Sequence, residues 1–271
     1  MKISVIVPTY KPVPDYMEQC LSSLFLQTFN HSDFEIIIVL NGCDEPYKTI
    51  INNIRRKLDS SISIKLIQTD VPGQSNARNI GMEASEASYY CFIDYDDWVS
   101  PTYLERLYAV ATNSYVAQSY VISVNDSDNR EYPDYIGCYY DKLYGKAPCF
   151  SKLKAIHFLS NVATKLISRE IVDKGRFIPI TIGEDALFMA LISNRIHSVV
   201  LAQRDAVYYR RVHLDSLVHR KRSFLEFFKN RLTLTLLYLK IFFSNIREYN
   251  LFLFLHRIIA VWRGFFKYLF C

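Results

Sequence analysis

Asp94, Asp96 and Asp97 stand within four consecutive residues, directly after the apolar run Tyr89–Ile93. Such a run predicts a strand buried on both faces, so the three carboxylates come at a strand end. Carboxylates this close repel one another unless a cation is present, and oxygen ligands of this kind suit Mg²⁺ or Mn²⁺. Because Mg²⁺ commonly completes its shell with substrate phosphates, the cluster predicts a metal site that receives a diphosphate. The alternative is an acidic loop that caps the following helix.

The elements that would position this cluster alternate between strand and helix over the first 122 residues. The pattern predicts strands at Ile3–Val7, Ile36–Leu40, Ser63–Ile67, Tyr89–Ile93 and Tyr115–Ser123. It predicts helices at Asp15–Thr28, Tyr47–Leu58, Ser75–Ser85 and Tyr103–Thr112. Alternating units of this kind form an α/β fold, with a mostly parallel central sheet and helices on both faces. Such sheets bind ligands at the carboxyl ends of their strands. Polar residues follow four of these strands: Pro8-Thr9-Tyr10, Asn41-Gly42, Gln68-Thr69-Asp70 and the aspartate cluster.

The second half of the chain has a weaker pattern. Residues 123–148 are rich in Asp, Asn, Tyr and Pro and are expected to form a loop. Beyond them we expect a helix near Ser151–Leu159, a strand near Thr164–Ser168, a helix opened by Gly183-Glu184-Asp185 and a strand at Ala206–Tyr209. His213, together with Arg210 and Arg211, then forms a basic group that is either a phosphate contact or a surface turn.

Charge divides the chain unevenly. From Arg204 to the C-terminus there are 13 Lys/Arg and 4 Asp/Glu, whereas residues 1–203 hold 19 and 23. Residues 223–271 are helical in pattern, dense in aromatic and aliphatic residues, and interrupted by Lys240, His256, Arg257 and Arg263. No stretch has the length of a membrane span, so we expect amphipathic helices that lie in a membrane interface. The alternatives are packing on the rest of the chain or dimer formation.

Other sequence features narrow the class of protein. The six cysteines form no CxxC pair and no His/Cys cluster, which argues against zinc and for a reducing compartment. Pro8 ends the N-terminal apolar run too early for a signal peptide, so we expect a cytoplasmic protein. The chain lacks the P-loop pattern and a GxGxxG after any strand, which argues against a P-loop ATPase and a dinucleotide oxidoreductase.

An ordered series of motifs resembles the family 2 glycosyltransferases, an inverting family with the GT-A fold, here of the bacterial cell-surface polysaccharide type. The resemblance covers about the first 215 residues. The motifs are Val5-Ile6-Val7-Pro8-Thr9-Tyr10, Ser23, Gln27-Thr28, Phe34-Glu35-Ile36-Ile37-Ile38-Val39, Gly73-x-Ser75-x-Ala77-Arg78-Asn79-x-Gly81, Phe92-Ile93-Asp94-x-Asp96-Asp97-x-Val99 and Gly183-Glu184-Asp185.

The resemblance implies a donor site built from the strand ends. Pro8, Thr9 and Tyr10 would line the base and ribose pocket, and Arg78 would approach the donor phosphates or the base. Asn41 stands where the family usually has an aspartate that reads the nucleobase. An amide can still donate to and accept from a base edge, so this departure leaves the identity of the base open.

The resemblance also implies the catalytic groups. Asp96 and Asp97 would bind ribose and metal, with Asp94 supporting them. Glu184-Asp185 matches an acidic pair of the family, and Asp185 would be the base that accepts the proton of the acceptor hydroxyl. A neighbouring carboxylate raises a base's pKa toward the working pH, which is the role expected of Glu184. The alternative is that both acids only complement the helix dipole.

The expected function is transfer of a sugar from a nucleotide-diphosphate donor, with a UDP-sugar expected, to a hydroxyl of a glycan or lipid-linked acceptor. The reaction would be inverting, dependent on Mn²⁺ or Mg²⁺, and part of capsule, O-antigen or exopolysaccharide synthesis. It would be non-processive, because the QxxRW motif and the membrane spans of processive synthases are absent.

The expected organisation is a GT-A domain at residues 1–215, with a nucleotide-sugar half at 1–122 and an acceptor half at 123–215. A basic, aromatic-rich helical region at 216–271 would then hold the protein peripherally on the inner face of the cell membrane. We expect no nucleic-acid partner, because the basic residues of the tail alternate with bulky aliphatics.

Two rival functions remain at this stage. A nucleotidyltransferase would need a glycine-rich basic segment after the first strand, where Pro8-Thr9-Tyr10-Lys11-Pro12 has no glycine. A non-catalytic module with a decayed transferase site would not need to keep Asp96, Asp97 and Asp185.

Overall fold

The computed structural model describes residues 1–58, 61–213 and 223–263. Its strands are β1 (Ile3–Thr9), β2 (Phe34–Asn41), β3 (Ser63–Thr69), β4 (Tyr89–Phe92), β5 (Trp98–Val99), β6 (Tyr115–Gln118), β7 (Tyr120–Asn125), β8 (Glu131–Pro133), β9 (Phe150–Ser151), β10 (Lys165–Ser168), β11 (Ser198–Leu201) and β12 (Val207–Val212). Its α-helices are α1 (Pro14–Phe25), α2 (Tyr47–Lys57), α3 (Gln74–Glu83), α4 (Tyr103–Val110), α5 (Tyr135–Leu143), α6 (Arg169–Val172), α7 (Glu184–Leu191), α8 (Phe224–Ser244) and α9 (Leu251–Trp262).

The central sheet has eight strands in the order β3-β2-β1-β4-β10-β6-β11-β9. The first four are parallel, β10 is antiparallel to both neighbours, and β11 is parallel to β6. Every residue of β1 and β2 is buried, which explains their continuous apolar character. The α/β fold with a large, mostly parallel central sheet is therefore confirmed.

Helix α3 packs against β1 and β2 at the centre of the sheet. Gly81 allows this approach, because a Cβ at that position would overlap the side chain of Ile6. The helix begins after Gly73, whose φ of 125° is a conformation that other residues rarely adopt. Two glycines thus determine where α3, and with it Arg78, lies relative to the strand ends.

A second sheet has the order β5-β12-β7-β8, and its formation corrects one expectation. The strand predicted at Tyr115–Ser123 is divided at Ser119 between the two sheets. The amide of Ser119 donates to the carbonyl of Thr164 at 3.0 Å, whereas the amide of Tyr120 donates to that of Ala206 at 2.9 Å. The chain therefore passes from the central sheet to the second sheet between Ser119 and Tyr120, although its apolar pattern continues unchanged.

Two further expectations for the second half were wrong. Residues 123–148 are not one loop, because they contain β8 and α5; the side chain of Asp134 caps α5 by accepting from the amide of Ile136 at 2.8 Å. The helix predicted at Ser151–Leu159 is instead the short strand β9 followed by a 3-10 helix at Ile156–Ser160.

The C-terminal helices α8 and α9 pack on each other and on α7. Their inward faces bury Leu234, Tyr238, Ile241, Phe242, Leu253 and Phe254. Their outward faces leave large apolar side chains exposed, among them Leu225, Leu232, Leu236, Phe243, Phe252 and Ile259. Within residues 1–58, 61–213 and 223–263, no helix is both long and apolar enough to span a bilayer.

Candidate functional site

The ends of β2, β1 and β4 lie side by side and bring together several residues that the sequence singled out. The side-chain amide of Asn41 donates to the carbonyl of Thr9 at 2.8 Å, and its oxygen accepts from the amide of Gly73 at 2.9 Å. Asn41 is only 3% exposed, so these bonds tie the end of β1 to the loop before α3. Pro8 and Thr9 belong to the buried strand, and Tyr10, just beyond it, is 47% exposed and offers a ring surface to a ligand.

Arg78, on α3, lies between the aspartate cluster and the acidic pair of α7. Its guanidinium donates to Asp94 at 3.1 Å and to Asp185, and Glu184 lies 3.8 Å from it. The side chain is 1% exposed and its guanidinium lies over the ring of Phe177. Burial alone would lower the pKa of Arg78, but the three carboxylates raise it overall. Arg78 is therefore a buried cation that joins acids from two parts of the chain.

Within the aspartate cluster, Asp97 is turned into the protein. One of its oxygens accepts from the hydroxyl of Tyr208 at 2.6 Å and the other from the amide of Arg211 at 2.8 Å. Burial, together with the charges of Asp96 and Asp94, raises the pKa of Asp97 well above its usual value. Because both oxygens are already engaged, the Asp97 carboxylate helps to hold the loop in place.

Asp94 and Asp96 are more open, with about a third and a quarter of their side chains exposed. Asp94 accepts from the amide side chain of Gln74 at 2.8 Å as well as from Arg78. An oxygen of Asp96 lies 3.4 Å from Nε2 of His213, and burial and the charge of Asp94 raise the pKa of Asp96. Asp96 and His213 thus form a partly exposed pair of potential ligands at the strand end.

This pair fits a divalent cation better than the full aspartate cluster does. Among the described residues, no three His, Cys, Asp or Glu side chains are grouped closely enough to hold a metal by themselves. The Asp96 carboxylate suits Mn²⁺ or Mg²⁺ when a substrate supplies further oxygens, and the His213 imidazole would add a nitrogen ligand. A cation beside Asp96 would also offset the unfavourable burial of its charge.

The acidic pair lies at the start of α7, after Gly183 in the left-handed conformation. The two oxygens of Asp185 accept from Arg78 and from the amide of Val162, the latter at 3.1 Å. Burial first, and then the charge of Asp185, raise the pKa of Glu184 to about 7, although Arg78 opposes the shift. Glu184 was expected to raise the pKa of Asp185, and the structure shows a raised pKa for Glu184 itself.

The basic residues of β12 have partners inside the protein. Arg210 pairs with Asp134 at 2.5 Å, and Arg211 pairs with Asp126 at 2.5 Å while its guanidinium lies 4.0 Å from the ring centre of Tyr16. Because both arginines lie in β12 and are paired with carboxylates, they do not form a surface turn. His213 approaches the carboxylate of Asp96, and Nε of Arg211 donates to the carbonyl of Asp96 at 2.9 Å.

The sequence analysis did not identify Tyr208, a residue of β12 that holds the aspartate cluster in place. Its hydroxyl donates to Asp97 and accepts from the amide of Asp94 at 3.3 Å. The contact joins residues 111 positions apart, so no local pattern pairs them.

The fold agrees with the comparisons to known proteins. Residues 4–175, more than half of the 271, match the model of glycosyl transferase family 2, and the chain belongs to this family. Glycosyltransferase GlyA of Streptococcus pneumoniae is 28% identical over 217 residues, which are 77% of this chain and 30% of GlyA. The chain thus spans less than a third of that relative's length.

Two other proteins give further comparisons. The poly(ribitol-phosphate) beta-N-acetylglucosaminyltransferase TarS of Staphylococcus aureus is 32% identical over 100 residues, 37% of this chain and 17% of TarS. A crystal structure of TarS with UDP-GlcNAc has a TM-score of 0.69 at 22% identity, over 88% of this chain and 67% of that one. The mannosyltransferase PcManGT of Pyrobaculum calidifontis, with GDP-Man and Mn²⁺, has a TM-score of 0.61 at 14% identity, over 88% and 63%. These likenesses show the GT-A fold.

Proposed function

We propose that this chain transfers a sugar from a nucleotide-diphosphate donor to a hydroxyl of a glycan or lipid-linked acceptor, with inversion. The observation that carries the proposal is the position of Arg78 between Asp94, at the predicted donor site, and Asp185, at the predicted acceptor site. Membership of glycosyl transferase family 2 supports the reaction class. A UDP-sugar is the preferred donor, because TarS has been crystallised with UDP-GlcNAc.

On the donor side, Pro8, Thr9 and Tyr10 would line the pocket for the base and ribose, with Tyr10 as the exposed stacking surface. Asp96, with His213, would hold Mn²⁺ or Mg²⁺, and Asp97 would hold the loop in position. When bound, the cation supplies positive charge that stabilises the departing diphosphate. The Mn²⁺ present in the mannosyltransferase structure supports this assignment.

On the acceptor side, the hydroxyl oxygen forms a bond to the anomeric carbon as the bond from that carbon to the diphosphate breaks. The proton of the hydroxyl passes to a carboxylate on the face opposite the nucleotide, and Asp185 is the proposed base. Arg78 and the amide of Val162 orient its carboxylate. Glu184 is the second candidate, because a pKa of about 7 suits a general base at neutral pH.

The C-terminal helices would hold the protein peripherally at the cytoplasmic face of a membrane, where a lipid-linked acceptor is found. Exposed Leu225, Leu232, Leu236 and Phe243 recur at helical spacing along α8, and Lys229 and Lys240 are exposed between them. Such a face can enter the acyl boundary while its lysines reach anionic headgroups. A place in surface polysaccharide synthesis, with one sugar added per encounter, is consistent with this arrangement.

Donor binding tests the proposal directly. Unfolding temperatures are measured with UDP-GlcNAc, UDP-glucose, GDP-mannose and UDP, each with Mn²⁺ or with EDTA. A ligand that binds only the folded state raises the unfolding temperature according to its concentration relative to Kd. A metal-dependent rise with a UDP-sugar is expected, and no rise with any nucleotide would contradict the proposal.

A further inference from the structure

A cavity of about 230 Å³ lies between α7, α8 and α9. Gly183 and Ala186 form its wall on the side of the acidic pair, and Leu234, Tyr238 and Arg257 line it from the C-terminal helices. A Cβ on Gly183 would come within 3.1 Å of the side chain of Leu234, so α8 contacts the residue that precedes Glu184. The cavity is therefore adjacent to the start of α7, where Asp185 is held.

Arg257 is the unusual residue of this cavity. It is 5% exposed, and its one hydrogen bond to the described residues is from Nη2 to the carbonyl of Ile156 at 2.6 Å. Its Nε is buried without a partner, and no carboxylate in the described part of the chain forms an ion pair with it. Buried arginines ordinarily have a carboxylate or several acceptors, because an uncompensated buried charge is costly. Burial accordingly lowers the pKa of Arg257.

The neighbouring titratable groups do not neutralise the charge of Arg257. His157 and His256 lie with ring centres 5.9 Å apart. The pKa of each is lowered by burial first and then by the charges of Arg257 and Arg263. Tyr238 and Tyr135 are the groups that oppose the lowering of the Arg257 pKa, and neither is an acid at neutral pH. A bound anion would supply the missing negative charge.

We propose that this cavity binds a phosphate group carried by the acceptor, with the guanidinium of Arg257 as the principal contact. A guanidinium donates two parallel hydrogen bonds to a phosphate, and desolvation strengthens such charge-assisted bonds. The position beside Gly183 would place the phosphate at the start of α7, the helix that carries Asp185, so the contact would help to align the acceptor hydroxyl with the base. This inference rests on the proposed function, since it names the chemical class of the acceptor for the same site.

The test separates this cavity from the donor site. The full chain is first saturated with UDP and Mg²⁺, which fills the donor site, and inorganic phosphate is then titrated while the unfolding temperature is followed. We expect a saturable rise for the unaltered chain. Arg257→Gln should weaken phosphate binding by about tenfold or more, the loss expected for hydrogen bonds to a charged group. Arg263→Gln, which alters an exposed arginine at the end of the same helix, should bind phosphate as the unaltered chain does.

Two further measurements keep the result interpretable. If Arg257→Gln does not fold, Arg257→Lys retains the charge without the two-pronged geometry and should still bind phosphate more weakly. Sedimentation with phosphatidylglycerol vesicles distinguishes a membrane headgroup from an acceptor phosphate. Vesicle binding lost in Arg257→Gln, with no response of the unaltered chain to phosphate, would overturn the inference. So would equal phosphate binding by the Arg257 and Arg263 variants. UDP binding by the unaltered chain, measured first, tests the proposed function separately.

Discussion

Arg78 and Asp185 are 107 residues apart in the chain, and the guanidinium of the first donates a hydrogen bond to the carboxylate of the second. The same guanidinium donates to Asp94 at the end of β4. One buried cation thus fixes the distance between the end of β4 and the acidic pair on α7. Gly73 and Gly81 lie before and after Arg78 in the sequence. They allow α3 to pack closely on the sheet, which places Arg78 beside the end of β4.

Replacing Arg78 by glutamine should leave three acids of the site without their common cation. Breaking a buried ion pair costs about 3 kcal/mol or more in the free energy of unfolding, because the remaining charges stay uncompensated. Arg106→Gln is the matched control, since Arg106 pairs with Asp205 at 3.0 Å on the surface and its loss should cost less than about 1 kcal/mol. Urea unfolding at neutral pH measures both. Equal losses would show that the Arg78 pairs do not stabilise the fold.

Glu184→Gln should change the pH dependence of stability. The pKa of Glu184 is raised from 4.5 to about 7 in the folded chain, so the folded state holds its proton more tightly than the unfolded state does. The cost of the buried charge is absent below pH 4.5, grows as pH rises, and is complete above about 7. At about 1.4 kcal/mol per pKa unit, Glu184→Gln should be more stable than the unaltered chain by about 3 kcal/mol at pH 8 and by little at pH 4.5.

Urea unfolding of both proteins at several pH values between 4.5 and 8 measures this difference. Glu83→Gln alters an exposed glutamate at the end of α3 and should shift stability by no more than about 0.5 kcal/mol at any of these pH values. A Glu184→Gln variant whose advantage does not grow with pH would show that the carboxyl titrates in its ordinary range.

Tyr208→Phe should loosen the aspartate loop. It removes the hydroxyl that donates to Asp97 and accepts from the amide of Asp94, so a buried carboxylate loses one of its two donors. A loss of about 1–3 kcal/mol in the free energy of unfolding is expected. Tyr209→Phe is the neighbouring control, because the Tyr209 ring stacks on Trp98 and its hydroxyl makes no hydrogen bond to the described chain. Indistinguishable urea midpoints for the two variants would argue against the role given to Tyr208.

Leu236→Glu should weaken association with anionic vesicles. Leu236 is 56% exposed on the outer face of α8, so a charge there is tolerated by the fold but opposes entry into the acyl boundary. Burial of a leucine is worth about 1.5–3 kcal/mol, which corresponds to about a tenfold or greater loss of vesicle binding. Leu26→Glu introduces the same charge at a 67% exposed leucine outside the two C-terminal helices and should have no effect on vesicle sedimentation. A similar effect of the two substitutions would leave α8 without a specific membrane role.

The parts of the structure that the sequence predicts are those that depend on local pattern. Strands β1 and β2 are continuous apolar runs because both faces are covered, and the polar residues after them lie at the sheet edge where parallel strands end. The partner change at Ser119 was not predictable, because the residues before and after it are equally buried in different sheets. Helix α5 did carry a signal, since Ile136, Tyr140 and Leu143 are buried at helical spacing after the capping Asp134. The polar composition around it obscured that pattern.

In the site, too, local sequence patterns were predictable and long-range contacts were not. The aspartates and the acidic pair could be named from their motifs, but the engagement of Asp97 by Tyr208 and Arg211 depends on contacts across more than 100 positions. The same holds for Arg78, whose burial between Asp94 and Asp185 follows from the packing of α3. Motifs therefore named candidate residues that the structure brings together, and tertiary packing determined which of their atoms remain available to a ligand.

Release of UDP from UDP-sugars by the full chain tests the central claim most directly, with water in place of the acceptor. With Mn²⁺, the unaltered chain should release UDP from at least one UDP-sugar, and EDTA should abolish the release. Asp185→Asn should lower the rate about 100-fold or more, the contribution expected of a general base, while UDP still raises the unfolding temperature. Absence of UDP release from every UDP-sugar, or an Asp185→Asn rate equal to that of the unaltered chain, would contradict the account.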